Sequence, residues 1–97
     1  MPKYLIERNV PGIQQLTPRE LQAMSLKSRK VMEDMQSGIH WLQSYVVNDK
    51  LFCVYVAPDK ETVVEHARRG NFPVTRINEV KTIIDATSAD GYFFDRH

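Results

Sequence analysis

The sequence contains enough donor groups for one transition-metal site, although not in the spacing of a common metal motif. The candidate donors are one cysteine, three histidines and two glutamates on predicted strands: Cys53, His40, His66, His97, Glu7 and Glu79. Thiolate, imidazole and carboxylate groups are all ligands of zinc and nickel. The chain has no CxxC, HxH or HExxH pattern, so only the inventory of donors indicates metal binding.

The same residues allow a second chemistry, nucleophilic catalysis by Cys53 with His40 or His66 as the base. A single cysteine on a strand is usually a small buried apolar residue, so we expect no thiol protease or transferase. His66 lies at the edge of the contact between the second helix and the sheet, where it is either a ligand or a histidine hydrogen-bonded to a neighbour. His40 is either a donor or a solvent-exposed strand end. A terminal position favours mobility for His97.

Composition excludes several classes of partner. Thirteen lysines and arginines against twelve aspartates and glutamates leave a formal net charge of +1, so we expect neither nucleic acid nor a membrane surface as a partner. No apolar run approaches the roughly 20 residues that cross a bilayer. The first residues lack the apolar run of a secretory signal, and one cysteine cannot form an internal disulfide. We therefore expect a cytoplasmic protein.

The segments that position these side chains show strand patterns and helix patterns in turn along the sequence. Strand-favouring residues, helix caps and turn residues predict strands at 3–9, 39–47, 51–57 and 77–85 and helices at 18 to about 36 and at 60–70. The first helix starts at a capping box, Thr17-Pro18-Arg19-Glu20. Its apolar face carries Leu21, Met24, Ser28, Val31, Met32 and Met35.

The order of these elements predicts an α+β, ferredoxin-like βαββαβ fold, with a four-stranded antiparallel sheet and two helices on one face. We assign residues 1–87 to a single domain of this kind. Residues 88–97 form a C-terminal tail with three aromatic residues, which we expect to dock on a neighbouring surface.

The second and third strands are predicted to form a hairpin with Asn48 and Asp49 in its turn. This register pairs Val47 with Lys50, Ser44 with Cys53, and Leu42 with Tyr55. Both faces of the hairpin are then largely apolar, whereas the two helices cover one face only. A second subunit is the simplest cover for the other face, so we predict a homodimer formed through the sheet.

Five segments together resemble one known family. They are Lys3 to Arg8 followed by Pro11-Gly12, Trp41 to Tyr45, Phe52 to Tyr55 leading to Ala57-Pro58, Glu65 to Arg68, and Gly70 to Pro73. In this order and spacing, over residues 2–87, they resemble a family of small bacterial nickel-binding proteins that was formerly a domain of unknown function.

The resemblance implies a ferredoxin-like fold, dimers formed through the sheet and a bound divalent transition metal, with nickel the named ion and no established reaction. The polar residues that fall inside the matching segments are Glu7, Arg8, Cys53, Tyr55, Glu65 and His66. Together with the donor inventory, the resemblance predicts ligands among His66, Glu7, Cys53, His40 and Tyr55. We place His66 first among them.

An alternative function follows from the aromatic residues of the hairpin, which are Tyr45, Tyr55, Trp41 and Phe52. In a dimeric α/β-barrel, two such sheets pack face to face and leave a cleft against the helices. An enzyme or binding protein of this type acts on a small aromatic or polyketide-like molecule. The simpler interpretation is that these rings fill the core or the dimer interface.

Overall fold

Four strands form one antiparallel sheet, and two helices pack on it. The computed structural model describes residues 1–93. Its elements are β1 (Lys3–Asn9), α1 (Pro18–Met35), β2 (His40–Val47), β3 (Lys50–Val56), α2 (Lys60–Gly70) and β4 (Arg76–Glu79), with 3-10 turns at Ile13–Gln15 and Ala86–Asp90. The strand order is β2-β3-β1-β4, and every neighbouring pair is antiparallel. The predicted ferredoxin-like α+β fold is confirmed.

Helix α1 begins at the predicted capping box. The Thr17 hydroxyl accepts from the Glu20 amide at 3.2 Å, and the Glu20 carboxylate accepts from the Thr17 amide at 2.9 Å. Two amides at the helix start are thereby satisfied. Leu21, Met24 and Met32 pack against the core, as the apolar face predicts. No helix among residues 1–93 is both long enough and apolar enough to cross a membrane.

The core lies between the helices and one face of the sheet, which we call the inner face. Side chains alternate along a strand, so every second residue of β1 and β3 points inward. The buried apolar residues of the core are Tyr4, Ile6, Ile13, Ile39, Leu51, Cys53, Tyr55, Ala57 and Val63. Because full burial of an aliphatic side chain contributes about 1.5–3 kcal/mol, this cluster is what holds the helices on the sheet.

The register of the hairpin departs from the prediction at the end far from its turn. The predicted pairing of Leu42 with Tyr55 is wrong, because a β-bulge between Trp41 and Gln43 places Trp41 opposite Tyr55. Packing explains the shift. On the inner face the Trp41 and Tyr55 rings stack with centroids 6.5 Å apart, and the indole N–H donates to Ser44 Oγ at 2.9 Å. A bulge adds one residue to one strand and so changes the face on which Trp41 lies.

Strand β4 ends earlier than the predicted strand at 77–85. It pairs with β1 from Arg76 to Glu79, and the Val80 amide donates to the Lys3 carbonyl at 2.8 Å. Lys3 is the first residue of β1, so the residues after Val80 have no strand left to pair with. The predicted end at residue 85 is therefore wrong.

The segment after β4 ends in a capped 3-10 turn and two exposed aromatic residues. Asp85 accepts a hydrogen bond from the Thr87 amide at 2.8 Å. Tyr92 and Phe93 are 67% and 66% exposed. The rest of the tail, including His97, lies outside the described residues, so docking of the tail stays a prediction.

Candidate functional site

The five predicted metal ligands lie on opposite sides of the sheet. Cys53, Tyr55 and His66 are buried on the inner side, whereas Glu7 and His40 lie on the outer face, which the helices do not cover. Within residues 1–93, no three His, Cys, Asp or Glu side chains form a group that could hold a metal ion. One copy of the described chain therefore does not bring the predicted ligands together.

His66 is packed in the core and contacts α1. It is 0% exposed, and its Nε2 lies 3.2 Å from Ser28 Oγ and 3.4 Å from the Ser28 carbonyl oxygen. A carbonyl oxygen only accepts, so a proton on Nε2 satisfies this contact, while Nδ1 has no partner among the described residues. Burial lowers the pKa of His66 against the opposing effect of the Ser28 hydrogen bond, and Arg8 lowers it further. The structure thus shows a histidine hydrogen-bonded to a neighbour, one of the two interpretations that the sequence allowed.

Arg8 is a buried cation without a counter-ion among residues 1–93, and only the resemblance singled it out in the sequence. It is 3% exposed, its Nη1 donates to the Pro73 carbonyl at 2.8 Å, and its guanidinium carbon lies 5.6 Å from the centre of the Phe72 ring. Its Nη2 has no partner, and no carboxylate among residues 1–93 forms an ion pair with it. The available signal was the alternation of Tyr4, Ile6 and Arg8, which places Arg8 on the inner face.

Tyr55 and Cys53 place a phenol and a thiol on the inner face of β3. Each is 2% exposed. Burial raises the pKa of the Tyr55 hydroxyl, and the nearby Cys53 raises it further. Arg8 and Ser28 lower the pKa of Tyr55. The Tyr55 hydroxyl is therefore protonated at neutral pH and lies near the Arg8 guanidinium. Cys53 is packed among the apolar side chains of the core, which are poor surroundings for a charged ion.

A cavity of about 250 Å³ lies between α1 and the part of the sheet formed by β2 and β3. Its lining includes Arg8, Ser28, Trp41, Cys53, Tyr55 and Phe72. Of the four hairpin aromatics behind the alternative function, Trp41 and Tyr55 line this cavity. Tyr45 and Phe52 instead pair on the outer face.

The outer face of the sheet carries an apolar patch on β1, β2 and β3 with polar residues around it, among them Gln43 beside Val54. The apolar side chains are Leu5, Phe52, Val54, Val56, Tyr45 and Val47. Tyr45 and Val47 are 53% and 41% exposed. At one end, Glu7 accepts a hydrogen bond from Lys50 Nζ at 3.0 Å; at the other end, His40 is exposed.

Glu65 of α2, which the resemblance also singled out, is bound by two arginines of its own helix. Arg68 donates to it from Nε and Nη2 at 2.8 and 2.7 Å, and Arg69 donates from Nε at 2.7 Å. These hydrogen bonds lower the pKa of Glu65 to about 2. The carboxylate is thus ionised and occupied, which separates it from the groups around the cavity.

Comparison with known proteins agrees with this architecture. The model of a family described as "Nickel responsive protein SCO4226-like" matches residues 4–80. The crystal structure of SCO4226 from Streptomyces coelicolor A3(2) aligns with a TM-score of 0.70 and 19% identity, and the alignment covers 84% of this chain and 99% of that one. No curated protein matches the chain. At this identity the structural likeness establishes the fold, whereas the family match extends over most of the sequence.

Proposed function

Because the chain belongs to the SCO4226-like family of nickel-responsive proteins, we propose that it is a homodimer that binds a divalent transition metal, nickel first among them. The family match over residues 4–80 is the observation that supports metal binding. We propose no catalytic activity. We further propose a cytoplasmic location, where the single free cysteine stays reduced.

The described residues of one copy do not fit a complete metal site, and the inner side is the less suitable place. Arg8 lies close enough to His66 and Tyr55 to alter both pKa values, and its charge repels a dication. We therefore place the ion on the outer face, where His40 exposes its imidazole and a second copy supplies further donors. Glu7 is the next candidate there, although a metal has to displace Lys50 from it.

The apolar outer face supports the dimer. An exposed apolar sheet face of this extent is usually covered by another subunit, and a two-fold axis lets the same face of each copy cover the other. Val54 lies at its centre, between Leu5 on β1 and Gln43 on β2. Val54→Lys places a charge in the proposed interface, so we expect the dimer mass to fall to the monomer mass by light scattering.

Val64→Lys is the matched control for this substitution, because Val64 is 47% exposed on α2 and lies away from the outer face. We expect it to leave the mass unchanged. A wild-type monomer at working concentration, or a Val54→Lys dimer as stable as the wild type, would show that the outer face is not the interface.

The metal is tested by titrating untagged, metal-free protein with Ni(II) and Zn(II), combined with elemental analysis. We expect saturable binding at a fixed ratio per dimer, weakening at acid pH because donor groups must be deprotonated. His40→Ala should weaken binding, and Gln22→Ala, at an exposed position of α1 away from the outer face, should not. His66→Ala distinguishes a site on the outer face from a site on the inner side. If only this variant loses binding, the ion lies on the inner side. A folded dimer that takes up no metal contradicts the proposed function.

A further inference from the structure

The cavity between α1 and the sheet contains a positive charge that the described chain does not balance. Arg8 lines this cavity and is 3% exposed, and its Nη2 has no hydrogen-bond partner in the part of the chain that the structure describes. Its other interactions are with three uncharged groups, which are the Pro73 carbonyl, the Phe72 ring and the Tyr55 hydroxyl. A buried charge is strongly unfavourable unless an opposite charge or several hydrogen bonds compensate for it. An anion beside Arg8 provides that compensation.

Two further polar groups line the same cavity. Ser28 and Tyr55 both contribute to the wall, and each is buried. Arg8 and Ser28 are close enough to Tyr55 to act on its pKa. Because guanidinium groups bind carboxylates through paired N–H donors, the three side chains form a polar end that suits a carboxylate.

The remaining wall and the volume limit the rest of the ligand. Apolar side chains of α1, β2 and β3 line it, among them Leu21, Met24, Trp41 and Leu51. An apolar cavity of about 150 Å³ holds benzene, so the observed 250 Å³ leaves room for one ring and a short acidic substituent. It is smaller than the roughly 300 to 1,000 Å³ of sites for drug-sized molecules.

We propose that this cavity binds a small monocarboxylate with an apolar body, of about the size of phenylacetate, and that Arg8 binds its carboxylate. The inference is independent of the nickel proposal and of the dimer, because every residue that it uses lies within one chain. It gives Arg8 a role in binding rather than in stabilising the fold.

The fluorescence of Trp41 reports on this cavity directly, because Trp41 is the only tryptophan of the sequence and forms part of the wall. Titration of metal-free protein with phenylacetate should give a saturable change. Phenylacetamide, which has the same shape without the charge, should bind at least about tenfold more weakly, the value of one hydrogen bond to a charged group. Inorganic phosphate, which lacks the apolar body, should give no saturable change.

Two Arg8 variants and one control test the role of the guanidinium. Arg8→Met should abolish the preference for the acid over the amide, and Arg8→Lys, which keeps the charge without the paired donors, should reduce it. Arg76→Met removes the same charge from exposed β4 and should bind like the wild type. Circular dichroism establishes that each variant is folded.

Any of the following results would overturn the inference: equal binding of acid and amide to the wild type, unchanged selectivity in Arg8→Met, or no response of the folded wild type to phenylacetate. A saturable response to phosphate alone would also overturn it, since the site would then recognise charge without an apolar body.

Discussion

Gly70 is the position where one added methyl group tests the packing around Arg8 and His66. It is the last residue of α2 and is buried. A Cβ on Gly70 would lie 2.5 Å from Cζ and 2.6 Å from Cδ2 of Phe72, against about 3.5–4.0 Å for an ordinary carbon contact. Cε2 of the same ring would lie closer still, so the Phe72 ring must move by more than about 1 Å. That ring contacts His66 at a centroid distance of 5.2 Å and lies under the Arg8 guanidinium.

We expect Gly70→Ala to lower the free energy of unfolding by about 1–3 kcal/mol, the usual cost of overpacking a filled core. The assay is urea unfolding followed by circular dichroism. Phe72→Ala provides the matched background, because it removes the ring that the new methyl group meets. There, Gly70→Ala should be neutral or stabilising by up to about 1 kcal/mol, since alanine favours the helix more than glycine does. An equal cost in both backgrounds, or a stabilised single variant, would refute the reasoning.

Two further predictions concern the cap of α1 and the buried histidine. Thr17→Ala removes the hydroxyl that accepts from the Glu20 amide and should lower the free energy of unfolding by about 1 kcal/mol in urea; no change would show that the capping box is dispensable. His66 has a folded-state pKa below its ordinary value of 6.5, so the unfolded chain binds a proton first as the pH falls. Stability should therefore decrease as the pH falls through about 6.5. His66→Gln should flatten this decrease; if the slope does not change, other groups are responsible for it.

Local chemistry accounts for the parts of the fold that the sequence predicted well. The capping box at Thr17 needs only residues three positions apart, and the apolar face of α1 needs only the helical period. The hairpin turn at Asn48 and Asp49 likewise depends on adjacent residues, and the predicted pairing next to it agrees with the structure. These short-range patterns, in their order along the chain, were sufficient for the βαββαβ fold.

The features that the sequence missed depend on groups distant along the chain. The side of the sheet that Trp41 occupies is decided by the Tyr55 ring on the neighbouring strand, which alternation along β2 alone does not reveal. The length of β4 is decided by where β1 begins, at Lys3. Alternation places Arg8 on the inner face, but only the packed structure shows that no carboxylate of the described residues reaches it.

The predicted metal ligands also depend on residues that are distant along the chain, which the sequence alone does not place. Glu7 and Cys53 lie on opposite faces of the sheet, which becomes visible only when each face is assigned as inner or outer. His66 lies in the core because α2 packs against α1, and no spacing motif in the sequence indicates this. The two donors on the outer face, Glu7 and His40, lie at its opposite ends, and no group of three donors forms within residues 1–93. The sequence of one copy cannot supply the geometry of an interface between two.

The bulge at Leu42 also determines how the sheet can grow. An edge strand that is long and regular invites a strand of another chain to pair with it, and native proteins prevent this with bulges and short edges. Here one edge, β2, is interrupted by the bulge, and the other edge, β4, spans only Arg76–Glu79. Neither edge is a good template for sideways addition of strands, so crowding of copies should favour closed pairs over fibrillar polymers.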